Sequence, residues 1–265
     1  IYRDQQGTRS SFNYNYWSSP VSSNGIDYTI SEVLRDGADV TTNPFSPTLI
    51  NFGSGPYFAD GALSNPINIS DYWLFKYTSV STVYAGWQYA GTTGNIKVGE
   101  GFTMKGTDGT ANISDTQNYV FAGKPNNGNI LLNIAPNQLY LVGNPYPSAM
   151  DADEFIKDNI KDGAGRNTTN VFNGALSFWN HFAGQTHILA DYIGGYATYT
   201  LMGGVNAISN DVLINNNGAT GTLVPRRYIP VAQGFFVGTT LDPTLVTNNP
   251  NLSTAITGGS IVFKN

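Results

Sequence analysis

The segment LVGNPYPSAMDADEF (141–155) places three acidic side chains, Asp151, Asp153 and Glu154, directly after a proline-rich turn. Carboxylates at this spacing could bind calcium or begin a helix. With Ser148 as the N-cap, Asp151 lies at N3 and can accept a hydrogen bond from the backbone N–H of the cap. The other two acids lie near the positive end of the helix dipole. Because the alternating ligands and the glycine of a calcium loop are missing, the acids predict a helix start, with a structural calcium ion as the alternative.

Only two histidines, His181 and His187, are present, which limits metal and acid–base chemistry. With Asp191 they lack the spacing that places two ligands on one helical face. On one extended strand they would lie about 20 Å apart, so both reach one metal ion only if the chain turns between them. The intervening AGQT could supply that turn. The sequence favours a loop of aromatic and hydrogen-bonding side chains over a metal site.

The sequence contains no motif of a known catalytic class. It has no Gly-x-Ser-x-Gly elbow and no phosphate loop, and GEGFTMKG (99–106) is not followed by a helix pattern, so it is not a dinucleotide fingerprint. Most of the 18 acidic residues fall in turn or cap contexts, although two could still meet in space as the carboxylate pair of a glycoside hydrolase. We therefore expect neither catalytic residues nor a required cofactor.

Aromatic residues are the remaining candidates for ligand binding. The chain has 4 Trp, 16 Tyr and 14 Phe, which could form a platform on which sugars stack or could fill the core. Trp17 and Trp179 lie inside repeated sequence blocks, which favours a place in the core. Trp87, in YAGWQYAG, is the tryptophan that we expect to be most exposed, and Trp73 is the second candidate for ligand stacking.

The elements that must position these residues occur twice along the chain. Each half has an apolar strand that ends in Ser19-Pro20 or Asn144-Pro145, then a short helical pattern, an aromatic strand, a glycine-phenylalanine strand and a closing strand. This order predicts two related lobes, residues 1–133 and 134–265.

Short runs of β-branched and aromatic residues separated by Gly, Asn and Pro make up most of the chain. They predict an all-β protein in which two β-sandwich, jelly-roll-like lobes pack in tandem, each with one short helix after the proline-containing turn. KPNNGN (124–129) predicts the turn of a hairpin.

The two helical patterns each carry one apolar stripe at helical spacing. The positions are Ile26, Ile30, Val33 and Leu34 in the first half and Ala152, Phe155, Ile156 and Ile160 in the second.

The composition is typical of extracellular β-proteins. Charged residues are only 12% of the chain, against roughly 25% in average proteins. The net charge of −5, without a Lys/Arg cluster, argues against nucleic acid, and no apolar run approaches the ~20 residues that span a membrane. There is no cysteine, so the fold has no disulfide. Because the sequence starts at Ile1 rather than Met, we interpret it as a mature or clipped fragment.

The combination of YWSSPV, GKPNNG and GNPYPSAMDADEFI, with GALSFWNHF and QGFFV, resembles a module of large secreted or cell-surface proteins of the Bacteroidota. That module normally precedes a C-terminal sorting domain for type IX secretion, and the resemblance covers nearly the whole chain. It implies an extracellular location and brings no catalytic residues with it.

From these observations we expect a non-enzymatic cell-surface module with an adhesive or structural, filament-forming role. Its partners would be copies of itself, neighbouring surface proteins or polysaccharide. Exposed edge strands would be the sites of polymerisation. The alternative is a carbohydrate-binding module that uses surface aromatics, attached to a polysaccharide hydrolase.

Overall fold

The computed structural model describes residues 1–37, 45–80, 84–211, 214–239 and 255–265. These residues form short strands in several mostly antiparallel sheets, with two short α-helices and three 3-10 helices. The predicted all-β fold class is confirmed.

The strands up to residue 134 have the following bounds: β1 (Tyr2–Thr8), β2 (Tyr14–Trp17), β3 (Val21–Ser22), β4 (Asp27–Tyr28), β5 (Leu34–Asp36), β6 (Thr48–Leu49), β7 (Asn51–Gly53), β8 (Asn68–Ser70), β9 (Phe75–Val80), β10 (Trp87–Tyr89), β11 (Ile96–Lys97), β12 (Phe102–Lys105), β13 (Thr116–Ala122), β14 (Lys124–Pro125) and β15 (Ile130–Ile134). The later strands are β16 (Gln138–Gly143), β17 (Met150–Asp151), β18 (Leu176–Ala183), β19 (Ile193–Thr200), β20 (Gly203–Val205), β21 (Tyr228–Ile229), β22 (Gly234–Gly238) and β23 (Gly259–Phe263). The helices are α1 (Ile30–Val33) and α2 (Ala152–Asn159), with 3-10 helices at Asp71–Trp73, Tyr84–Gly86 and Leu189–Asp191.

One nine-stranded sheet contains strands from both halves of the chain. Its order is β2-β12-β9-β16-β22-β18-β19-β20, and β10 pairs with β9. The strands that correspond in sequence occupy the same relative order in each half, β2-β12-β9-β10 and β16-β22-β18-β19. The repeat seen in the sequence is therefore also a repeat of strand order, and the pairing of β9 with β16 joins the two halves into one sheet.

The two halves exchange backbone contacts at the middle of this sheet, and we call this region the central crossing. Its bridges and hydrogen bonds join Trp17 to Gln233, Glu100 to Val142, the N–H of Ser18 to the carbonyl of Ala232 (2.8 Å), and the N–H of Gly143 to the carbonyl of Gly99 (3.0 Å). The two bridges correspond to each other in the sequence repeat, and so do the two hydrogen bonds. Gly99 and Ala232, which correspond in sequence, both have positive φ, 93° and 61°.

Two apolar cores lie on one side of the nine-stranded sheet. The first is built from residues 17–121 with Val231 and Ala232, and the second from residues between 132 and 263. Helix α2 buries Ala152, Phe155 and Ile156 in the second core, which confirms the stripe predicted there. Burial of such a stripe holds a two-turn helix that would not be stable alone.

The first predicted helix is present but shorter than predicted, and its apolar stripe is buried at Ile30, Val33 and Leu34. Helix α1 has only four residues, and Ile26, the first position of the predicted stripe, is 71% exposed. The side-chain oxygen of Asn24 accepts hydrogen bonds from the N–H groups of Ile26 and Asp27 and forms a turn. The following residues pair with β11, and Leu34 begins β5. A local side-chain hydrogen bond thus outcompetes the helix at its predicted start.

The hairpin predicted at KPNNGN is also wrong. Strand β14 pairs with β3, and β15 pairs with β23, so the two strands that flank the turn do not pair with each other. Instead, the buried Asn126 connects the two proline turns. Its Nδ2 donates to the carbonyls of Ser19 and Pro145, both at 3.0 Å, and its Oδ1 accepts from the Ser22 hydroxyl at 2.7 Å.

We expect Gly234→Ala to destabilise the protein. A Cβ at Gly234 would lie 2.8 Å from the carbonyl carbon of Tyr16 and 2.9 Å from the backbone nitrogen of Trp17, neither of which can move without disturbing the central crossing. Overpacking of this kind costs about 1–3 kcal/mol. Urea unfolding, monitored by tryptophan fluorescence, measures the decrease in the free energy of unfolding.

The matched control is Gly61→Ala, where a Cβ meets nothing within 4 Å. Its free energy of unfolding should be unchanged or slightly higher. Equal effects of the two substitutions would contradict the role given to the central crossing.

Candidate functional site

The face of the nine-stranded sheet opposite the cores is lined with aromatic side chains. Because alternate residues of a strand point to opposite faces, Trp17 enters the first core while Tyr14 and Tyr16 lie on the other face. In the same way, Phe235 enters the second core and Phe236 lies on the aromatic face. Strands from both halves thus bring their aromatic residues to one surface.

These side chains enclose a groove of about 810 Å³. Trp73 and Trp87, the two residues predicted to stack on a ligand, both line it, and both are partly exposed. Trp179, expected in the core, lines the groove as well, whereas Trp17 is 3% exposed in the first core as expected. The other aromatic side chains of the lining are Tyr14, Tyr16, Tyr72, Phe75, Tyr77, His187, Tyr192, Tyr196 and Phe236.

Tyr16 lies at the centre of this aromatic network. Its ring stacks on Trp179, with centroids 6.2 Å apart and planes 13° apart, and it meets the edge of Trp87 at 6.3 Å. Its hydroxyl lies 3.0 Å from the hydroxyl of Tyr196. Burial, followed by the charge and hydrogen bond of Tyr196, raises the pKa of Tyr16, so this phenol stays neutral. The groove therefore has rigid apolar walls with hydroxyl groups set into them.

A partly buried polar cluster supports the end of the groove near Trp73. Lys105 Nζ lies 2.8 Å from Nδ1 of His187, whose Nε2 lies 3.0 Å from the carboxylate oxygens of Asp60. The His187 ring stacks on Trp73, with centroids 5.1 Å apart and planes 8° apart. Ser11 donates its hydroxyl to Asp60 at 3.0 Å. The carboxylate favours the tautomer that carries its proton on Nε2, which leaves Nδ1 to accept from the lysine.

The two histidines do not share a site. His181 Nε2 lies 3.0 Å from the carbonyl of Gly184, while His187 contacts Lys105 and Asp60. The chain does turn between them, since Gly184 has a positive φ of 92°. No group of three or more His, Asp or Glu side chains within the described residues is placed to hold a metal ion.

The sequence did not predict the role of Lys105. Its side chain is 1% exposed within an apolar strand pattern. A lysine between the buried Met104 and Gly106 was the available signal, because an ammonium in a buried strand requires partners that compensate for its lost hydration.

The acids of the proline-rich motif begin helix α2, as predicted, but by a different cap. Asp151, not Ser148, is the N-cap, and its Oδ1 accepts from the N–H groups of Asp153 (3.0 Å) and Glu154 (3.3 Å). The chain stays extended through Asp151, because Met150 and Asp151 pair with β21, so the helix cannot start earlier.

The three carboxylates have partners within the protein. Asp151 forms a two-oxygen contact with Arg227 at 2.8–3.0 Å, and Asp153 accepts from the Tyr199 hydroxyl at 2.8 Å. Glu154 pairs with Lys157 and Arg166. Calcium binding by these residues would have to displace those partners.

A sequence-family model described as a domain of unknown function (DUF8693) matches residues 1–258. The chain belongs to this family. The DUF8693 match extends over both halves, so one family unit contains the whole nine-stranded sheet and its groove. Comparison with curated proteins and with solved structures gave no significant match. Among the described residues, no helix has the length and apolar character needed to cross a membrane.

We expect Asp151→Ala to lower the free energy of unfolding by about 1 kcal/mol, because the cap of α2 is lost. Burial tends to raise the pKa of Asp151, but hydrogen bonds from Arg227 and the helix N–H groups hold it below its ordinary value. A carboxylate with a depressed pKa stabilises the fold above its unfolded pKa of about 3.9, and this contribution disappears as pH falls through the folded pKa.

Chemical denaturation at pH 7 and pH 3 tests both statements. Asp151→Asn, which keeps a capping oxygen but removes the charge, is the control. At pH 7 it should lower the free energy of unfolding less than Asp151→Ala does. A rise in melting temperature on adding calcium chloride, abolished by either substitution, would instead establish the calcium site.

Proposed function

We propose that the protein is a non-enzymatic extracellular module that adheres to carbohydrate through the aromatic groove. The single observation that carries this proposal is the 810 Å³ groove, lined by aromatic side chains from both halves, with Trp73 and Trp87 partly exposed in its walls. Ligand sites are commonly concave, mostly apolar and provided with a few well-placed polar groups.

The chemistry of the groove fits a sugar better than other flat ligands. A pyranose has an apolar C–H face, which stacks on an aromatic ring, and a rim of hydroxyls, which need hydrogen-bonding partners. Thr103, Ser177 and Asp211 are in the lining, in addition to the tyrosine hydroxyls. Single-stranded nucleic acid also stacks on aromatics, but it requires a positively charged groove. No Lys or Arg lies among the described residues that line this one.

The groove also supports binding rather than hydrolysis. Glycoside hydrolases use a pair of carboxyl groups across the scissile bond. Asp211 is the only carboxylate among the described lining residues. The absence of a catalytic role therefore remains our prediction, with a hydrolase elsewhere in the same gene product as the alternative.

The extracellular location and export by type IX secretion remain part of the proposal. They are supported by the low charge and the resemblance of the motifs to Bacteroidota surface modules. Polysaccharide of a neighbouring cell or of an extracellular matrix is the partner that the groove favours.

We expect Trp87→Ala and Trp73→Ala each to weaken glycan binding by about tenfold or more, as removal of a buried aromatic anchor usually does. A glycan array identifies a ligand for the wild-type protein, and isothermal titration calorimetry compares the variants. Tyr228→Ala is the control, because Tyr228 is exposed on β21 and outside the groove. A wild-type protein that binds no glycan, or an equally large loss of glycan affinity in Tyr228→Ala, would contradict the proposal.

A structural role through self-association is the second candidate. Strand β20 ends the nine-stranded sheet, and it is flanked by exposed apolar side chains. Met202 is 96% exposed, Val205 lies at the end of the strand, and Val224 packs beside Gly204. An unpaired strand edge with an apolar border is a natural place for strand addition by a second copy.

If this edge associates, the wild-type protein should form dimers or larger species as its concentration rises, and Val205→Lys should abolish them. Light scattering coupled to size-exclusion chromatography measures the mass. Ile26→Lys, at an exposed apolar position in a turn, serves as the control. A wild-type protein that stays monomeric at high concentration would rule out this role for the isolated module.

A further inference from the structure

Lys105 is surrounded by four rings that all line the groove, which we call the ring cage. Its Nζ lies 3.8 Å from the ring centroid of Trp73, 4.8 Å from that of Tyr14 and 5.2 Å from that of Tyr192, and it contacts Nδ1 of His187 at 2.8 Å. The cage combines strand β2, the 3-10 helix at Asp71–Trp73, the residue that precedes β19 and the loop that follows β18. One side chain thus connects groove walls from both halves of the chain.

The Lys105 ammonium and the His187 ring lie against the same face of Trp73. The two rings are nearly parallel with centroids 5.1 Å apart, and Nζ is 3.8 Å from the Trp73 centroid yet only 2.8 Å from the histidine. An ammonium on the opposite face of Trp73 could not lie within 2.8 Å of His187. The cation therefore fixes the tilt of the histidine relative to the tryptophan.

We infer that Lys105 is a positioning and specificity-determining residue of the groove. Its ammonium holds the ring cage together, and because it fills that cage from within, this end of the groove accepts uncharged sugars and rejects cationic ones. The preference for uncharged sugars rests on the proposed carbohydrate function.

The preference for uncharged ligands follows from the chemistry of aromatic cages. An empty cage of tryptophan and tyrosine rings is a site for an ammonium group, because the ring faces attract positive charge. Here the position is already taken by Lys105. A ligand ammonium placed against the same rings would be repelled by the internal one, and the repulsion is strong because the site is poorly hydrated. Neutral hydroxyl groups have no such penalty.

The charge of Lys105 makes the cage sensitive to pH. The titratable groups that face or influence it are His187, Asp60, His181, Tyr14 and Tyr192. Burial lowers the pKa of Lys105 to about 7, and the Asp60 carboxylate opposes this shift. Burial and the charge of Lys105 lower the pKa of His187, so this ring is neutral above pH 6.5. As pH rises from 6.5 to 9, Lys105 therefore loses its charge while His187 stays neutral.

The experiment compares two hexasaccharides with the same β-1,4-linked pyranose backbone, neutral cellohexaose and cationic glucosamine hexamer. At pH 6.5 the wild-type protein should bind the neutral probe at least tenfold more tightly, and this affinity should fall at pH 9. Lys105→Met should weaken binding of the neutral probe about tenfold at pH 6.5 and should remove the pH dependence of this binding. Lys105→Arg, which keeps a cation at all these pH values, should bind without pH dependence. Lys97→Met, on an exposed side chain, should behave as wild type.

A wild-type protein that binds glucosamine hexamer as tightly as cellohexaose, or a Lys105→Met variant with unchanged affinity and pH profile, would overturn the inference. If the wild-type protein binds neither hexasaccharide but a glycan array finds another neutral ligand, that ligand replaces cellohexaose in the same comparison. If no glycan binds at all, the carbohydrate proposal fails, and the positioning role is decided without ligand.

Two ligand-free measurements decide that role. Tryptophan fluorescence of the wild-type protein should change between pH 6.5 and 9, and the change should be absent in Lys105→Met. In Lys105→Ala, added propylammonium, which replaces the missing side-chain atoms beyond Cβ, should restore the wild-type fluorescence at pH 6.5, whereas 1-propanol should not. Identical pH profiles in the wild type and Lys105→Met would refute a positioning role for the ammonium.

Discussion

The close approach of the two halves at the central crossing is the constraint on which the other features depend. Gly101 and Gly234 allow this approach, because a Cβ at either position would lie within about 3 Å of backbone atoms across the crossing. The resulting contacts align β9 with β16, so that strands from both halves continue one sheet. Two separate sandwiches could not place Tyr16 and Trp179 in stacking contact.

The proline-containing turns belong to the same constraint. Asn126 donates to carbonyls of both turns, and Asn144 is fully buried with its side chain hydrogen-bonded to Ser148, Ile229 and Pro230. Buried carbonyls in a turn need such donors, since an unpaired polar group is costly away from water. The motif whose acids could bind calcium therefore also serves in chain reversal and helix capping. The groove proposed to bind carbohydrate lies on the other face of the sheet.

The sequence predicted features that depend on local pattern. The all-β class, the order of the repeated strands and the apolar stripe of α2 follow from alternation, periodicity and internal repetition, whereas position in a repeat wrongly predicted that Trp179 lies in the core. The short helix α1, the partners of β14 and β15, and the capping role of Asp151 depend on pairing with distant strands, which local pattern does not specify. The same reason explains why Lys105 was missed, because its cage is assembled from segments far apart in the chain.

The most direct test of the proposed carbohydrate binding by the groove is the response of the four tryptophan indole N–H signals to an added oligosaccharide. Heteronuclear NMR with single-tryptophan substitutions assigns each signal. We expect the signals of Trp73, Trp87 and Trp179 to shift on saturation with an oligosaccharide selected from the array, while that of Trp17, buried in the first core, does not. Binding that leaves all three groove signals unchanged would contradict it.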